Sequence, residues 1–418
     1  MLKGFKLKNM FFVTSIPPNP NGSGIERRCY RNLTSLMEFT NVHTIIVNRD
    51  DNGSALKTSL DTFGITNVTV LGLKENSNKS QTFPGALICR ELLSYFGDKI
   101  EFEKDTLAAL LHLIKATEKF DVFVFRLYTF PIYKVIFKTI LTQHRLILDW
   151  DDIESIALQR ANNTNEEKFG KEVYWSNKIR IQKNKKIERA TVQECEFILV
   201  CSEKDAKAMN THFTTNAFVS IPNSFDFQPK PSSEPAQNHA DINILFVGSM
   251  YYPPNEHGAV WFCTDVLPII MKSASSNVTV WIVGYKPTNK VQQLAEIDNV
   301  VVTGSVDSMT EYYEKATFAI SPIHFGGGTR IKILEAASFR VPTVTTSIGL
   351  EGIEFNHMED VLIADSANEF AKSCLTLIDN KQLRVKLSAS AFKTGKKLYD
   401  HSIVTDALST IIKEKSTK

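Results

Sequence analysis

The chain has 418 residues, 43% hydrophobic and 22% charged, with 48 Lys and Arg against 46 Asp and Glu for a formal charge of +2. That length exceeds one ordinary core and predicts two domains, or at most three. The composition is that of a soluble globular protein and excludes disordered, collagen-like and coiled-coil chains; the balanced charge gives no global drive towards nucleic acid.

Residues 1–10 hold lysines, and the apolar stretch at 10–13 is too short for a signal-peptide core, so it reads as a first strand. No apolar run approaches the roughly 18 residues that span a bilayer. Short apolar runs alternate with helix-period segments. The first series is 10–15, 43–47, 68–73, 122–125, 146–148 and 197–201; the second is 242–247, 278–283, 300–303, 318–322, 343–346 and 361–363. Continuous apolar strands suit sheets buried on both faces, and their alternation with helices predicts parallel βαβ units. Between the two series, residues 222–241 are rich in Pro, Ser, Asn and Gln and read as a linker.

The predicted organisation is α/β: a Rossmann-like domain over 1–222, a linker over 223–241 and a second Rossmann-like domain over 242–390. The helical stretch at 379–413 is long enough to reach back across the first domain, and a C-terminal helix over 391–418 is expected to pack on it. Two such domains facing a central cleft would bind ligands at the carboxyl ends of their strands. Cys29, Cys89, Cys195, Cys201, Cys263 and Cys374 form no C-x-x-C pair. They read as reduced, buried thiols of a cytoplasmic protein, not a disulfide frame or zinc site.

In chain order, the first candidate is the loop at 17–28, PPNPNGSGIERR. It is a turn-rich strand exit with Gly22, Ser23 and Gly24, then a helix start carrying Arg27 and Arg28. It reads either as a ligand-facing loop or as an ordinary strand-to-helix connection with surface arginines. Asp149, Asp151, Asp152 and Glu154 crowd the end of another strand, and like charges this close need a balancing partner. Acceptor recognition, pairing with Arg126 of the adjacent strand, helix capping by Asp151 or Asp152, and a metal are the open readings. Residues 171–190 carry seven Lys or Arg, and 132–145 mix apolar residues with Lys134, Lys138 and Arg145. Such a basic helix either rests on an anionic membrane or presents a solvated face.

The strongest local signal is FAISPIHFGGGTRIKILEAASFRVPTVTT at 318–346. A strand leads to Gly326, Gly327, Gly328 and Thr329, and a helix follows, apolar at Ile331, Ile333, Leu334 and Ala337. Glycines allow close backbone approach, and a helix start offers unpaired N–H groups and a positive dipole end. Together they predict an anion site suited to a diphosphate, with a plain Gly-rich turn as the alternative. Arg330 and Lys332 add cations where the helix dipole disfavours them, which an anionic ligand would explain. Glu335, about a turn later, is a candidate acceptor for ribose hydroxyls. His324 beside the loop is a further candidate, or a structural donor. The P-loop spacing is absent.

This segment resembles the donor-binding region of retaining glycosyltransferase family 4, of the GT-B fold, and in particular bacterial polysaccharide-biosynthesis sugar transferases with a GGGTR-x-K-x-LEA pattern. The resemblance continues through INILFVGSMYYPPNEHGAVWFCTDVLPII at 242–270, IVGYKP at 282–287, VTGSV at 302–306 and SIGLEGI at 347–353. In the first half it includes VFRLYTFP at 124–131, LDWDDIES at 148–155 and IPNSFD at 221–226.

The resemblance implies a sugar donor of UDP or GDP type, bound mainly by the second domain, with an acceptor-side first domain. Gly327, Gly328, Thr329 and Arg330 would hold the diphosphate, Lys332 would support it, and Glu335 would match the second glutamate of E-x7-E. Gly248 and Ser249 would approach the phosphates; Gly284 to Lys286, and Gly304 with Ser305 and Val306, would line the base. The 17–28 loop would reach the donor phosphate, with Arg27 or Arg28 facing it. Three positions depart from the family. Gly327 stands where the first motif glutamate falls, Ser249 and Met250 replace the usual Arg and Lys, and the region of Arg126 replaces a histidine.

The implied reaction is transfer to a hydroxyl of a glycan or lipid-linked saccharide, with retention, in surface polysaccharide biosynthesis. No metal and no separate cofactor are expected, nor a nucleic-acid partner. The expected location is cytoplasmic, with the inner face of the plasma membrane as a candidate docking surface. Rival readings are a degenerate GT-B binding subunit without turnover and a nucleotide-sugar epimerase. An oxidoreductase is disfavoured because no G-x-G-x-x-G follows a strand.

Overall fold

The computed structural model describes residues 8–48, 53–72, 102–137, 144–151, 155, 158–159, 170–227, 241–274, 276–326 and 329–414. The chain divides into two compact units, 1–222 with 404–418, and 223–403.

The first unit holds β1 (Lys8–Thr14), β2 (Thr40–Asn48), β3 (Val68–Gly72), β4 (Phe120–Phe125), β5 (Arg145–Asp151), β6 (Phe197–Val200) and β7 (Phe218–Ser220). They form one seven-stranded sheet in the order β3-β2-β1-β4-β5-β6-β7, every pair parallel. Because side chains alternate faces along a strand, the sheet feeds two cores. Phe11, Val13, Val122 and Val124 enter one; Met10, Phe12, Phe123 and Phe125 enter the other. All six residues of β4 are buried, the mark of a central strand covered on both sides.

The second unit holds β8 (Asp241–Val247), β9 (Asn277–Val283), β10 (Val300–Gly304), β11 (Phe318–Ser321), β12 (Thr343–Thr345) and β13 (Leu362–Ile363). Its six-stranded sheet runs β10-β9-β8-β11-β12-β13, again all parallel. Both sheets are Rossmann-like, and each reverses its strand order once, at β1/β4 and at β8/β11. That reversal opens a crevice beyond the carboxyl ends of the two strands.

The twelve apolar runs read from the sequence are strands here; β7 was not anticipated. The helical stretch at 379–413 is not continuous. Its helices are Lys381–Tyr399 and His401–Lys413. Phe225 takes up the backbone at the break, donating to the Tyr399 carbonyl (2.9 Å) and accepting from His401 N–H (3.0 Å). Asp400 then accepts from Ser402 N–H (3.2 Å) and Oγ (2.7 Å), starting the new helix as a cap does. From Val404 onwards that helix belongs to the first unit, where Val404, Leu408, Ile411 and Ile412 join the core. Arg145 donates to the helix's last carbonyls at Ile411 (3.2 Å) and Ile412 (3.3 Å), groups a helix end cannot pair internally.

Candidate functional site

In the second unit the crevice at the β8/β11 reversal is built from four strand exits. Gly248 N–H donates to the Val283 carbonyl at 3.0 Å, and Gly284 N–H donates to the Gly304 carbonyl at 3.0 Å, so the exits of β8, β9 and β10 lie edge to edge. The approach needs glycine: a Cβ on Gly284, whose φ is +150°, would sit 1.8 Å from the Gly248 carbonyl oxygen. Ser305 is exposed, Val306 is half-buried, and Lys286 is exposed beside Tyr285 in a left-handed conformation (φ 48°).

The fourth exit leaves β11. Ile323 is buried, His324 and Gly326 are half-buried, and the helix Ile331–Ser338 follows. Gly326 has φ +112°, and a Cβ there would lie 3.0 Å from Pro254 Cγ and 3.3 Å from both Arg330 Nη2 and the Tyr252 hydroxyl. The Arg330 guanidinium therefore lies against the glycine loop at the helix start, itself only 8% exposed. Thr329 Oγ1 is buried with no hydrogen-bond partner among the described residues. Gly327 and Gly328 lie outside the described residues.

Lys332 reaches back from this helix to the β8 exit. Its Nζ donates to Asn255 Oδ1 at 2.7 Å, sits 4.4 Å from the centroid of the Phe246 ring, and lies 3.1 Å from where a Gly248 Cβ would be. Asn255 in turn donates through Nδ2 to the Ser249 carbonyl at 3.0 Å. Burial, then the neighbouring Arg330, holds the Lys332 amine well below the usual lysine range, and Glu335 only partly offsets them. Glu335 is buried and accepts a hydrogen bond from the Tyr313 hydroxyl at 3.1 Å. His324 packs edge-on against Trp261, with centroids 4.3 Å apart, and burial lowers its pKa.

In the first unit, Gly22, Ser23 and Gly24 form the start of the helix Gly24–Met37. The Glu26 carboxylate accepts from Ser23 N–H (2.7 Å) and Ser23 Oγ (2.6 Å), so the helix start already carries an internal anion. Arg27 donates to the Gly22 carbonyl at 2.8 Å, within its own loop. Arg28, the second of the two arginines of which one is expected to face a phosphate, is buried on Asp149, its Nε donating to Oδ2 (2.9 Å) and its Nη2 to Oδ1 (2.9 Å). The fold turns this side chain inward because Asp149, at the end of β5, is wholly buried and needs a cation.

Asn32 also donates to Asp149. Arg126 donates to Asp151, and Cys201 Sγ approaches the other Asp151 oxygen at 2.6 Å. Asp151 is therefore an ion-pair partner of Arg126; the capping reading falls on residues 152–154, outside the described residues. Burial opposes its charge, but Arg126 and Arg28 outweigh burial and hold its pKa below the ordinary value. Arg126 (φ 75°) and Asp151 (φ 62°) both adopt the left-handed region, which costs a non-glycine residue energy and brings the pair together at adjacent strand ends. Asp152 and Glu154 lie outside the described residues. In the helix Gly170–Glu194, Lys178 lies over the rings of Tyr174 (4.6 Å) and Trp175 (5.0 Å).

Sequence reasoning missed Asn255, Tyr313 and Asn32. Asn255 follows Pro253 and Pro254 and reads as a turn residue; its partner Lys332 is remote in sequence.

Residues 241–380 match the family Glycosyl transferases group 1. The chain is 28% identical over 182 residues to an uncharacterised 44.6 kDa protein in the cps region of Klebsiella pneumoniae, a match covering 42% of this chain and 46% of the relative. The match thus spans about half the length of that curated relative. Among solved structures, a mutant of S. aureus TarM in complex with Fondaparinux, alpha-GlcNAc-glycerol and UDP is similar with a TM-score of 0.68 at 12% identity, over 98% of this chain and 100% of that one. WaaG, a glycosyltransferase involved in lipopolysaccharide biosynthesis, gives 0.62 at 13% identity over 97% and 100%. Anabaena Alr3699/HepE with UDP and glucose gives 0.62 at 12% over 97% and 99%. At these identities the likeness is one of fold: the two parallel sheets are those of the GT-B fold.

Proposed function

We propose that the chain is a retaining glycosyltransferase that moves a sugar from a nucleoside diphosphate sugar, of UDP or GDP type, to a hydroxyl of a glycan or lipid-linked saccharide in surface polysaccharide biosynthesis. The observation that carries this reading is the gathering of Arg330, Lys332 and the glycine exits at the β8/β11 reversal, within the segment that matches Glycosyl transferases group 1. The cps-region relative supports the pathway class.

In the proposed reaction the bond between the sugar's anomeric carbon and the diphosphate oxygen breaks. The acceptor hydroxyl attacks from the same face, and its proton passes to an oxygen of the leaving diphosphate. The protein's task is then to stabilise charge growing on that diphosphate. Arg330, Lys332 and the N–H groups at the start of Ile331–Ser338 suit it, because preorganised donors act without reorganising. Glu335, held by Tyr313, is assigned to a ribose or sugar hydroxyl. Gly248, Ser249, Gly284, Lys286, Ser305 and Val306 are assigned to the rest of the donor, and the first unit to the acceptor. The basic helix Gly170–Glu194, with Trp175 53% exposed, is assigned to an anionic membrane surface on the cytoplasmic side. Among the described residues no helix is long and apolar enough to cross a membrane.

Thermal unfolding with UDP, GDP, ADP and their sugar conjugates tests the donor class. A ligand at about 100 times its Kd adds about 2.7 kcal/mol, a shift of a few degrees. Arg330→Ala and Glu335→Gln are expected to lower transfer about 10²–10³-fold with an unchanged melting midpoint. Absence of any nucleotide shift, or full transfer in both variants, overturns the reading.

A further inference from the structure

We propose that Asn255 is a positioning residue for phosphate charge: it holds the ammonium of Lys332, borne on the helix after β11, at the exit of β8, where the loop has Ser249 and Met250 and no cation of its own. The inference rests on the donor-site reading above and assigns a part to a residue that reading leaves out.

Asn255 is 8% exposed and spends both ends of its amide on this junction. Its Oδ1 accepts from Lys332 Nζ at 2.7 Å, and its Nδ2 donates to the Ser249 carbonyl at 3.0 Å. One side chain thereby ties the β8 exit to the helix Ile331–Ser338. Gly248 makes the room, since a Cβ there would lie 2.7 Å from Asn255 Nδ2 and 3.1 Å from Lys332 Nζ.

The choice of an amide matters. A carboxylate at this position would neutralise Lys332 and repel a diphosphate, whereas a neutral acceptor fixes the ammonium and leaves its charge for an incoming anion. The Phe246 ring face below the ammonium acts in the same sense, attracting a cation without neutralising it.

Among the described residues, the charged groups around the amine are Arg330 and Glu335, at the start of and within its own helix. From the helix Pro253–Trp261 the charged neighbour of Asn255 is Glu256, which is paired with Lys290 at 3.2 Å; β8 contributes Phe246 and Gly248. Burial and Arg330 hold the amine below the usual lysine range. A bound diphosphate would raise it again, so binding takes up a proton and weakens as pH rises through that lowered pKa.

The test is calorimetric titration of the full chain with UDP and with GDP, from pH 6 to 9, for wild type, Asn255→Asp, Asn255→Ala, Lys332→Met and Lys332→Arg. Circular dichroism and melting midpoints serve as the folding check. Asn255→Asp and Lys332→Met are expected to weaken binding about 10- to 100-fold, as loss of a hydrogen-bonded charge does, and Asn255→Ala by less. Lys332→Arg is expected to bind with a flatter pH profile, because guanidinium stays charged. A variant that fails to fold is set aside for this last one, whose pH profile a merely structural role of Asn255 and Lys332 would not change. Wild-type binding that is matched in folded Asn255→Asp, or a pH profile unchanged in Lys332→Arg, overturns the inference while sparing the donor site. Failure of wild type to bind either nucleotide overturns the donor-site reading and this inference with it.

Discussion

The two units share one strand order over six strands, yet they treat positive charge at their strand exits in opposite ways. At the β4 and β5 exits, Arg28 lies on Asp149 and Arg126 on Asp151, each cation against a carboxylate. At the β8 exit, Lys332 lies on an amide and an aromatic ring. A buried cation answered by a carboxylate has its field cancelled and serves to hold elements in place. A cation answered by Asn255 keeps its field and can serve a ligand. Arg28 and Lys332 are both basic residues in the first turns of a helix that follows a strand of the reversal, and only their partners separate the two roles.

The largest effect is expected where that comparison is broken in the first unit. Arg28→Ala leaves the Asp149 carboxylate buried with Asn32 as its remaining side-chain donor among those described here, and should cost about 3–5 kcal/mol in urea unfolding. The double variant Arg28→Met with Asp149→Leu removes both charges and should recover most of that loss. A cost below about 1 kcal/mol for Arg28→Ala would mean that the pair does not hold the helix Gly24–Met37 to β5.

A smaller loss is expected at the exits of the second unit. Gly284→Ala puts a Cβ onto the Gly248 carbonyl and an L-residue at φ +150°, at about 1–3 kcal/mol of strain. Because the β8 loop must shift to relieve it, nucleotide binding should weaken together with the melting midpoint. A variant with wild-type stability and binding would show that the edge-to-edge exits tolerate separation and that Gly248 is not held in register by Gly284.

The strands were legible because burial on both faces writes itself as continuous apolar runs, as in FDVFVF of β4. Phe218–Ser220 escaped because three residues with a single buried one carry no period. The glycine loop and the basic helix start after β11 were legible for a local reason: strand, turn and helix follow one another within a few residues. What remained hidden was the partner of each charge. Arg28 finds Asp149 at a separation of 121 residues, and Lys332 finds Asn255 at 77. A basic residue beside glycines looks alike in both places; the parallel register decides which carboxylate or amide it meets. The pairing of Arg126 with Asp151 was readable because adjacent parallel strands bring equivalent ends together, and Arg126 N–H indeed donates to the Asp149 carbonyl at 2.8 Å.

The smallest effect sharpens the comparison by holding the pair type constant and changing only its solvent. Lys134 donates to both Glu194 oxygens at 2.7 Å, a geometry as good as that of Arg28 on Asp149, but the two side chains are 48% and 37% exposed. Water already solvates both charges there, so their attraction replaces hydration and does not rescue a buried ion. Lys134→Met should cost about 0–1 kcal/mol in urea unfolding, and the difference from wild type should shrink further at high salt, where exposed pairs are screened. If Lys134→Met instead cost as much as Arg28→Ala, carboxylate pairing itself would set the energy. If it costs as little as expected, burial does, and the buried Arg28–Asp149 pair and the exposed Lys134–Glu194 pair differ in worth although their geometry is alike.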